Sequence, residues 1–360
     1  FFRLYYFFCY FQCGLVHVVD GIALEIAKEI IQSEEAGASP ASYTDSEWDK
    51  ICSKAVSEHA EEDPEEIKEV ISEIRTLIDG NELFTPDRYG ALAARLADYK
   101  TDIKAMCLHV AHDCNLACRY CFADEGEYNG ERGLMSFEVG KKALDFLVKS
   151  SGKRRNLEVD FFGGEPLMNF DVVKQLVAYG RSLESEYDKN FRFTLTTNAV
   201  LLNDEITDFL NREMSNVVLS LDGRKEINDL MRPARNGKGS FDVVSGHIQE
   251  FVKARGEKDH YIRGTFTRNN LDFTEDIKEY LDLGYRNLSL EPVVTAEDYG
   301  IRREDLPQIM KEYEKLAELY IQKRREGDGF TFFHFMLDLD GGPCAIKRLK
   351  GCGSGNEYVD

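Results

Sequence analysis

Cys114, Cys118 and Cys121 form the run C-x₃-C-x₂-C, which offers three thiolates from one short loop. A cubane iron–sulfur cluster has four irons and is normally held by four cysteines, so three local thiolates leave one iron without a protein ligand. An open iron can bind a small chelating molecule, and that turns an electron carrier into a reaction site. Two other uses of the triplet stay open at this point. Zinc wants a fourth Cys or His, and His109 and His112 lie just upstream, so a Cys₃His site is the second reading. Unliganded thiols are the third.

The elements that must position this loop come from the hydrophobic pattern. From Ile103 onward the pattern alternates strands and helices, with strands expected at Ile103–Val110, Leu157–Phe162, Phe191–Thr196, Asn216–Leu221, Tyr261–Thr267 and Asn287–Leu290. Helical stretches lie between them, for example Phe137–Val148, Asp171–Leu183 and Glu275–Leu283. Strand-then-helix units in series call for a parallel sheet with right-handed crossovers, an α/β fold. Six units are too few for a complete eight-fold barrel, so a curved part-barrel, (β/α)6, is expected. Sites of such sheets sit at the C-terminal strand ends, and the cysteine loop directly follows the first strand. A charged helix, Arg303–Arg325, and a strand-like Phe330–Phe335 close the region.

Residues from about Leu24 to Leu96 differ: they are acidic and helical in pattern. Val16–Val19 reads as a strand, followed by a helix from Ile22 to Gln32, a small-residue loop from Ser33 to Ser42, and a second helix after Asp45 with Trp48, Ile51 and Val56 along one face. Asp63-Pro64 is an N-cap and first-turn pair opening a third helix, in which Ile67, Val70, Ile71, Ile74 and Ile78 recur at helical spacing. A strand with three helices predicts a small winged-helix-like module, and its acidic face reads as solvated surface. The expected boundaries are a module over 1–98, a core over 99–330 and the start of a cysteine-rich extension over 331–360.

The 360-residue chain carries a formal charge of −20, which argues against non-specific nucleic-acid binding. Nine cysteines, three at metal spacing, fit a reducing compartment, so a cytoplasmic location is expected. The aromatic run at the start, from Phe1 to Cys13, is too short to span a bilayer and lacks a signal-peptide cleavage site; it reads as a buried or edge strand. No other segment is a membrane candidate. The start without Met and the stop in a Gly-rich stretch after Cys344 and Cys352 read as the ends of a fragment.

Further polar signals fall at the expected strand ends. The second strand runs into Gly163, Gly164, Glu165 and Pro166, where two glycines permit a tight turn and close approach of a ligand to the backbone. The third ends in Thr196, Thr197 and Asn198, the fourth in Ser220, Leu221, Asp222 and Gly223. Each alone reads as a turn or a helix cap. Several such ends converging on one cysteine loop read as a site.

The cysteine run followed by the Gly-Gly-Glu-Pro turn resembles the radical S-adenosylmethionine (SAM) superfamily over roughly Ile103 to Pro292. The resemblance implies a [4Fe–4S] cluster on Cys114, Cys118 and Cys121, its fourth iron chelated by the amine and carboxylate of SAM. It implies that Tyr120 lies against the adenine, that Gly163, Gly164, Glu165 and Pro166 line the methionine amine, and that Asn198, Ser220 and Arg232 contact the carboxylate or ribose. Arg232 and Arg235 otherwise read as surface charges. In that family, reductive cleavage of SAM gives methionine and a 5′-deoxyadenosyl radical that takes hydrogen from unactivated carbon. The protein supplies orientation and keeps competing hydrogen donors away.

Cys344 and Cys352, in a Gly-rich tail, look like the opening of a SPASM domain, which implies auxiliary [4Fe–4S] clusters whose ligation is incomplete here. The front module resembles the leader-peptide reader of peptide maturases, which bind by strand addition. Taken together the chain looks most like the maturases of six-cysteine (SCIFF) precursor peptides. That resemblance implies a cysteine thioether (sactionine) crosslink in a cysteine-rich peptide bound through its leader, with electrons from a donor such as flavodoxin or ferredoxin. Formylglycine formation of the sulfatase-maturase kind is the alternative, and a peptide-binding fragment without turnover is another. Cys107, on the first strand, reads as a buried core thiol.

Overall fold

The computed structural model describes residues 6–10, 15–35, 40–60, 63–80, 82–84, 102–128, 130–336 and 357–359. These fall into two compact units, 6–84 and 102–336 with 357–359.

The first unit opens with two antiparallel strands, β1 (Tyr6–Tyr10) and β2 (Leu15–Val19). The aromatic start, which the sequence reads as a buried or edge strand, supplies β1, and the strand expected at Val16–Val19 is β2. Three helices follow, α1 (Gly21–Glu35), α2 (Asp45–Glu58) and α3 (Pro64–Asp79). Asp63 caps α3 by accepting from the Glu65 N–H at 2.9 Å, with Pro64 in the first turn. The helical-period residues of α3 do what their spacing requires: Ile67, Ile71, Ile74 and Ile78 are buried with Ile26, Ile30 and Trp48 in a core of their own.

The second unit is built on a parallel sheet. Its strands are β3 (Ala105–His112), β4 (Gly133–Leu134), β5 (Asn156–Gly163), β6 (Asn190–Thr197), β7 (Met214–Ser220), β8 (His260–Phe266), β9 (Asn287–Pro292), β10 (Thr331–Phe332) and β11 (Tyr358–Val359). The spatial order is β10-β9-β8-β7-β6-β5-β3-β11, every pair along it parallel, with the short β4 antiparallel to β3. Six consecutive strands, β3 and β5 to β9, thus lie side by side in chain order, as in a partial barrel. The linking helices are α4 (Phe137–Ser150), α5 (Phe170–Tyr187), α6 (Asp204–Glu213), α7 (Lys225–Met231), α8 (Phe241–Arg255) and α9 (Thr274–Asp282), and α10 (Leu306–Arg325) follows β9. The strand-like Phe330–Phe335 is a two-residue strand followed by a 3₁₀ turn, Phe333–Phe335. A continuous hydrophobic core joins sheet and helices, including Phe161, Phe193, Val217, Ile262 and Leu288, all essentially unexposed. Residues of opposite parity, such as Asp160, Thr194 and Thr265, are only partly buried, so the inner face of the sheet stays polar. Cys107 is on that face, half-buried rather than a core thiol.

Cys344 and Cys352 lie outside the described residues, as do residues 337–356 of the expected extension.

The strand end that carries Ser220 is anchored from behind. Gly223 has φ +80, and a Cβ there would sit 2.3 Å from the Asp276 Cβ. Arg224, one residue on, donates to the wholly buried Asp276 carboxylate at 2.9 Å and forks onto Asp272 at 2.8 and 3.0 Å. Hydrogen bonds from this guanidinium hold Asp272 below the usual carboxylate range, whereas burial outweighs them at Asp276 and pushes it up. Removing one partner of such a buried pair costs about 3–5 kcal/mol because the other charge is left uncompensated. Arg224→Ala is therefore predicted to lower the unfolding free energy measured by urea denaturation by about that amount, and Arg224→Ala/Asp276→Asn to recover part of it. Equal loss in the single and double variants would contradict this.

Candidate functional site

The cysteine loop begins where β3 ends, and two neighbouring segments fix it. On one side the turn after β5 continues the parallel pairing beyond the sheet: Gly164 N–H donates to Ala111 O at 2.7 Å and Glu165 N–H to Asp113 O at 2.9 Å. The two glycines are required by contact as well as by conformation. Gly163 has φ +134, and a Cβ on Gly164 would stand 2.2 Å from Asp113 O. On the other side the stretch after α7 runs antiparallel to the loop. Ala117 N–H donates to Pro233 O at 2.8 Å, Arg119 N–H to Met231 O at 2.9 Å, and Leu116 bridges Ala234. Arg235 pairs with Asp113 beside the first cysteine, and Tyr299 pins the far end by donating to Arg119 O at 2.7 Å.

Held this way, Cys114, Cys118 and Cys121 line one cavity of about 330 Å³ together with Tyr120, Gly163, Gly164, Asn198, Ser220 and Arg232. Glu165 and Pro166 are buried and are not among the lining residues. Burial pushes the Cys114 thiol up to about 12, with the Glu165 charge adding to it, and burial likewise raises Cys118. As free thiols both are protonated at neutral pH; a bound metal reverses that, since a coordinating thiol is deprotonated outright. N–H groups are already aimed at Cys114 Sγ, from the Leu116 backbone and the Asn198 side chain, both at 3.5 Å. Among the described residues no three His, Cys, Asp or Glu side chains are gathered around a point that suits a single metal ion.

Asn198 turns its amide towards the loop, donating to Asn115 Oδ1 at 2.7 Å. Tyr120 uses its hydroxyl within the protein: it donates to Asp222 at 2.6 Å and accepts from Arg232 Nη1 at 2.9 Å. Arg232, which also reads as a surface charge in sequence, is buried. Glu165 accepts from Leu167 N–H at 3.0 Å, from Thr197 Oγ1 at 2.7 Å and from Asn198 N–H at 2.7 Å, tying the ends of β5 and β6 together.

The sequence reading named Asp222 only as part of a strand end and missed Arg263, Thr265 and Glu291, which line the far wall of the same cavity. They are the inward residues at the ends of β8 and β9. Period-two alternation counted back from the strand ends was the signal that could have found them. A second cavity of about 550 Å³, lined by Asp145, Lys149, Tyr179 and Lys189 among others, contains no cysteine and lies off the strand-end face.

A cysteine loop at the C-terminal ends of a parallel α/β sheet, facing a cavity, places the chain among strand-end site proteins with a metal-capable loop. Comparison narrows the class. Residues 108–262 match the model of the Radical SAM superfamily. A GTP 3',8-cyclase of Clostridium botulinum is 33% identical over 262 residues, covering 68% of this chain and 74% of that protein. A cysteine-type anaerobic sulfatase-maturating enzyme of Clostridium novyi is 31% identical over 141 residues, 38% of this chain and 37% of that one. Among solved structures, native anSMEcpe with bound AdoMet and Kp18Cys peptide shares the fold with a TM-score of 0.57 at 21% identity, covering 65% of this chain and 64% of the other. The chain belongs to the radical SAM superfamily. It spans less than two thirds of the length of several relatives it matches, 62% and 64% for two of them.

Glu165 makes the strand-end tie testable. Burial pushes its carboxyl up to about 7 from the usual 4.5, against the three donors that favour its charge. The folded state then holds this proton more tightly than the unfolded chain, so the contribution to stability is whole below pH 4.5 and is lost as pH rises through about 7. The slope of this one group is at most about 1.4 kcal/mol per pH unit. Glu165→Gln is predicted to remove that component from urea-denaturation stabilities measured across the window. Parallel pH profiles for the two proteins would contradict it.

Proposed function

We propose that Cys114, Cys118 and Cys121 hold a [4Fe–4S] cluster with SAM beside it, and that the chain forms a cysteine thioether crosslink in a cysteine-rich peptide. The observation that carries the first half is the placement of three cysteines, clamped on both sides, along one cavity in a chain of this superfamily. The residues fit the group. The donor set is three thiols from one loop, with N–H groups directed at sulfur and a Gly-Gly approach that any Cβ would block. Three thiols from one loop suit a cubane, whose irons each take one thiolate, and no histidine that zinc would take as a fourth donor lines the cavity with them among the described residues. The chemistry such a pair supplies is the removal of hydrogen from an unactivated carbon.

The protein's own residues orient and enclose. Gly163 and Gly164 bring backbone close to the cysteine loop, where the amine of SAM would be received. Asn198 and Ser220 offer polar groups for its carboxylate or ribose, and the ring of Tyr120 stands on the adenine side. The inner-face residues Thr265 and Glu291 leave a polar wall for a peptide.

For the peptide half we propose Cys344 and Cys352 as ligands of an auxiliary [4Fe–4S] cluster that would take up the one electron released when the carbon–sulfur bond forms, the first hydrogen having left as an atom, and the 1–98 module as reader of the leader. The assigned boundaries are 1–98, 99–330 and 331–360. A low-potential donor such as flavodoxin or ferredoxin supplies the starting electron, in the cytoplasm. No helix among the described residues is long and apolar enough to cross a membrane. Formylglycine formation is the second reading, favoured by the similarity to the Clostridium novyi sulfatase-maturating enzyme. Relatives named for GTP and for sulfatases share this core, so the core alone does not select the substrate.

Anaerobically reconstituted protein, given SAM, a strong reductant and the cysteine-rich peptide encoded beside its gene, is predicted to release 5′-deoxyadenosine and to remove two hydrogens per crosslink from the peptide. Cys118→Ala is predicted to reduce both to background. Formylglycine without a crosslink would replace the thioether reading by the second one. Absence of 5′-deoxyadenosine from a preparation loaded with iron and sulfide would overturn the catalytic assignment itself.

A further inference from the structure

Arg232 is the least ordinary charge in the second unit. It is 8% exposed, lines the cavity with the three cysteines, and donates to the Tyr120 hydroxyl at 2.9 Å. Among the described residues no carboxylate lies within ion-pair distance of its guanidinium; Asp222 is reached only through Tyr120. A cation withdrawn from water needs an opposite charge nearby; among the described residues Asp222 supplies one through the Tyr120 hydroxyl, and the cavity face is left for a second.

Register says where. Ala117 N–H donates to Pro233 O and Arg119 N–H to Met231 O, so Arg232 stands directly opposite Cys118 in this short antiparallel pairing. Tyr120, two residues further along the loop, grips the guanidinium, and Asp222 grips Tyr120 while its other oxygen takes the Thr265 N–H at 3.0 Å. The arrangement keeps a fixed positive charge against the middle cysteine.

We propose that Arg232 is a positioning residue for electron uptake: its guanidinium, opposite Cys118 and anchored by Tyr120 and Asp222, raises the reduction potential of the cluster on Cys114, Cys118 and Cys121. This rests on the cluster reading given above. The step is the gain of one electron from a low-potential reductant, with no bond made or broken. Reduction makes the site more negative, and a fixed cation in a poorly solvated cavity stabilises the more negative state. The other source of negative charge is the carboxylate of SAM, and the two are separable because only one of them is present before SAM is added.

The test is an EPR-monitored redox titration of the full chain, anaerobically reconstituted, without and with SAM. Without SAM, Arg232→Met is predicted to shift the reduction equilibrium about tenfold towards the oxidised form, about 59 mV lower for one electron. Arg232→Lys returns most of the shift. Asp222→Asn, which keeps the cation and removes the opposing carboxylate, moves the midpoint the other way, and this variant decides the matter if Arg232→Met does not load. An unchanged SAM-free midpoint in loaded Arg232→Met, with weakened SAM binding, would assign the cation to the nucleotide carboxylate and overturn the proposal alone. A downward shift in Asp222→Asn would also overturn it. Wild-type protein that takes up no iron and sulfide would overturn the cluster reading and this proposal together.

Discussion

The pairing of residues 116–119 with 231–234 is the constraint on which the site depends. A loop carrying three cysteines has only turn hydrogen bonds of its own, such as Cys121 N–H to Cys118 O at 3.1 Å, to hold it. Two backbone hydrogen bonds and the bridge at Leu116 turn its middle into one edge of a short ladder. The Gly163-Gly164 turn closes on the other side. Ligands supplied by a loop are thereby placed by the ends of β3, β5 and β7, which belong to the rigid sheet.

The same segments bring buried charge to the site, and each charge has a separate way of being tolerated. Glu165 is neutralised in part by three donors and in part by its raised affinity for a proton. Asp276 relies on the Arg224 fork. Arg232 relies on the Tyr120 phenol, with Asp222 accepting behind it. The first two stiffen the strand ends, and the third fixes a positive charge beside the cysteine loop.

Much of the sheet was legible because a parallel strand buried under helices reads as an apolar run of fixed length between helical periods. The expected Leu157–Phe162 is observed as Asn156–Gly163, and Phe191–Thr196 as Asn190–Thr197. Errors fall where local pattern is weak. The first strand begins two residues later than expected and runs to His112, because pairing with β5 carries it on towards the cysteine loop. Phe330–Phe335 reads as strand from its aromatics, but only Thr331 and Phe332 find a partner. At the site, local spacing exposed the cysteines and the Gly-Gly turn. It could not expose Arg232 opposite Cys118, since that depends on a pairing across more than a hundred residues. Nor could it show that Glu165 faces inward, or that Arg263 and Glu291 share the cavity, because those facts belong to the sheet and not to any segment.

The central claim is a cluster with one iron left open for SAM. Its most direct measurement is the EPR spectrum of the reduced, anaerobically reconstituted protein before and after SAM is added. The account predicts a cubane signal that depends on Cys114, Cys118 and Cys121 and changes on addition of SAM. A cubane signal indifferent to SAM, or zinc in place of iron, would contradict it.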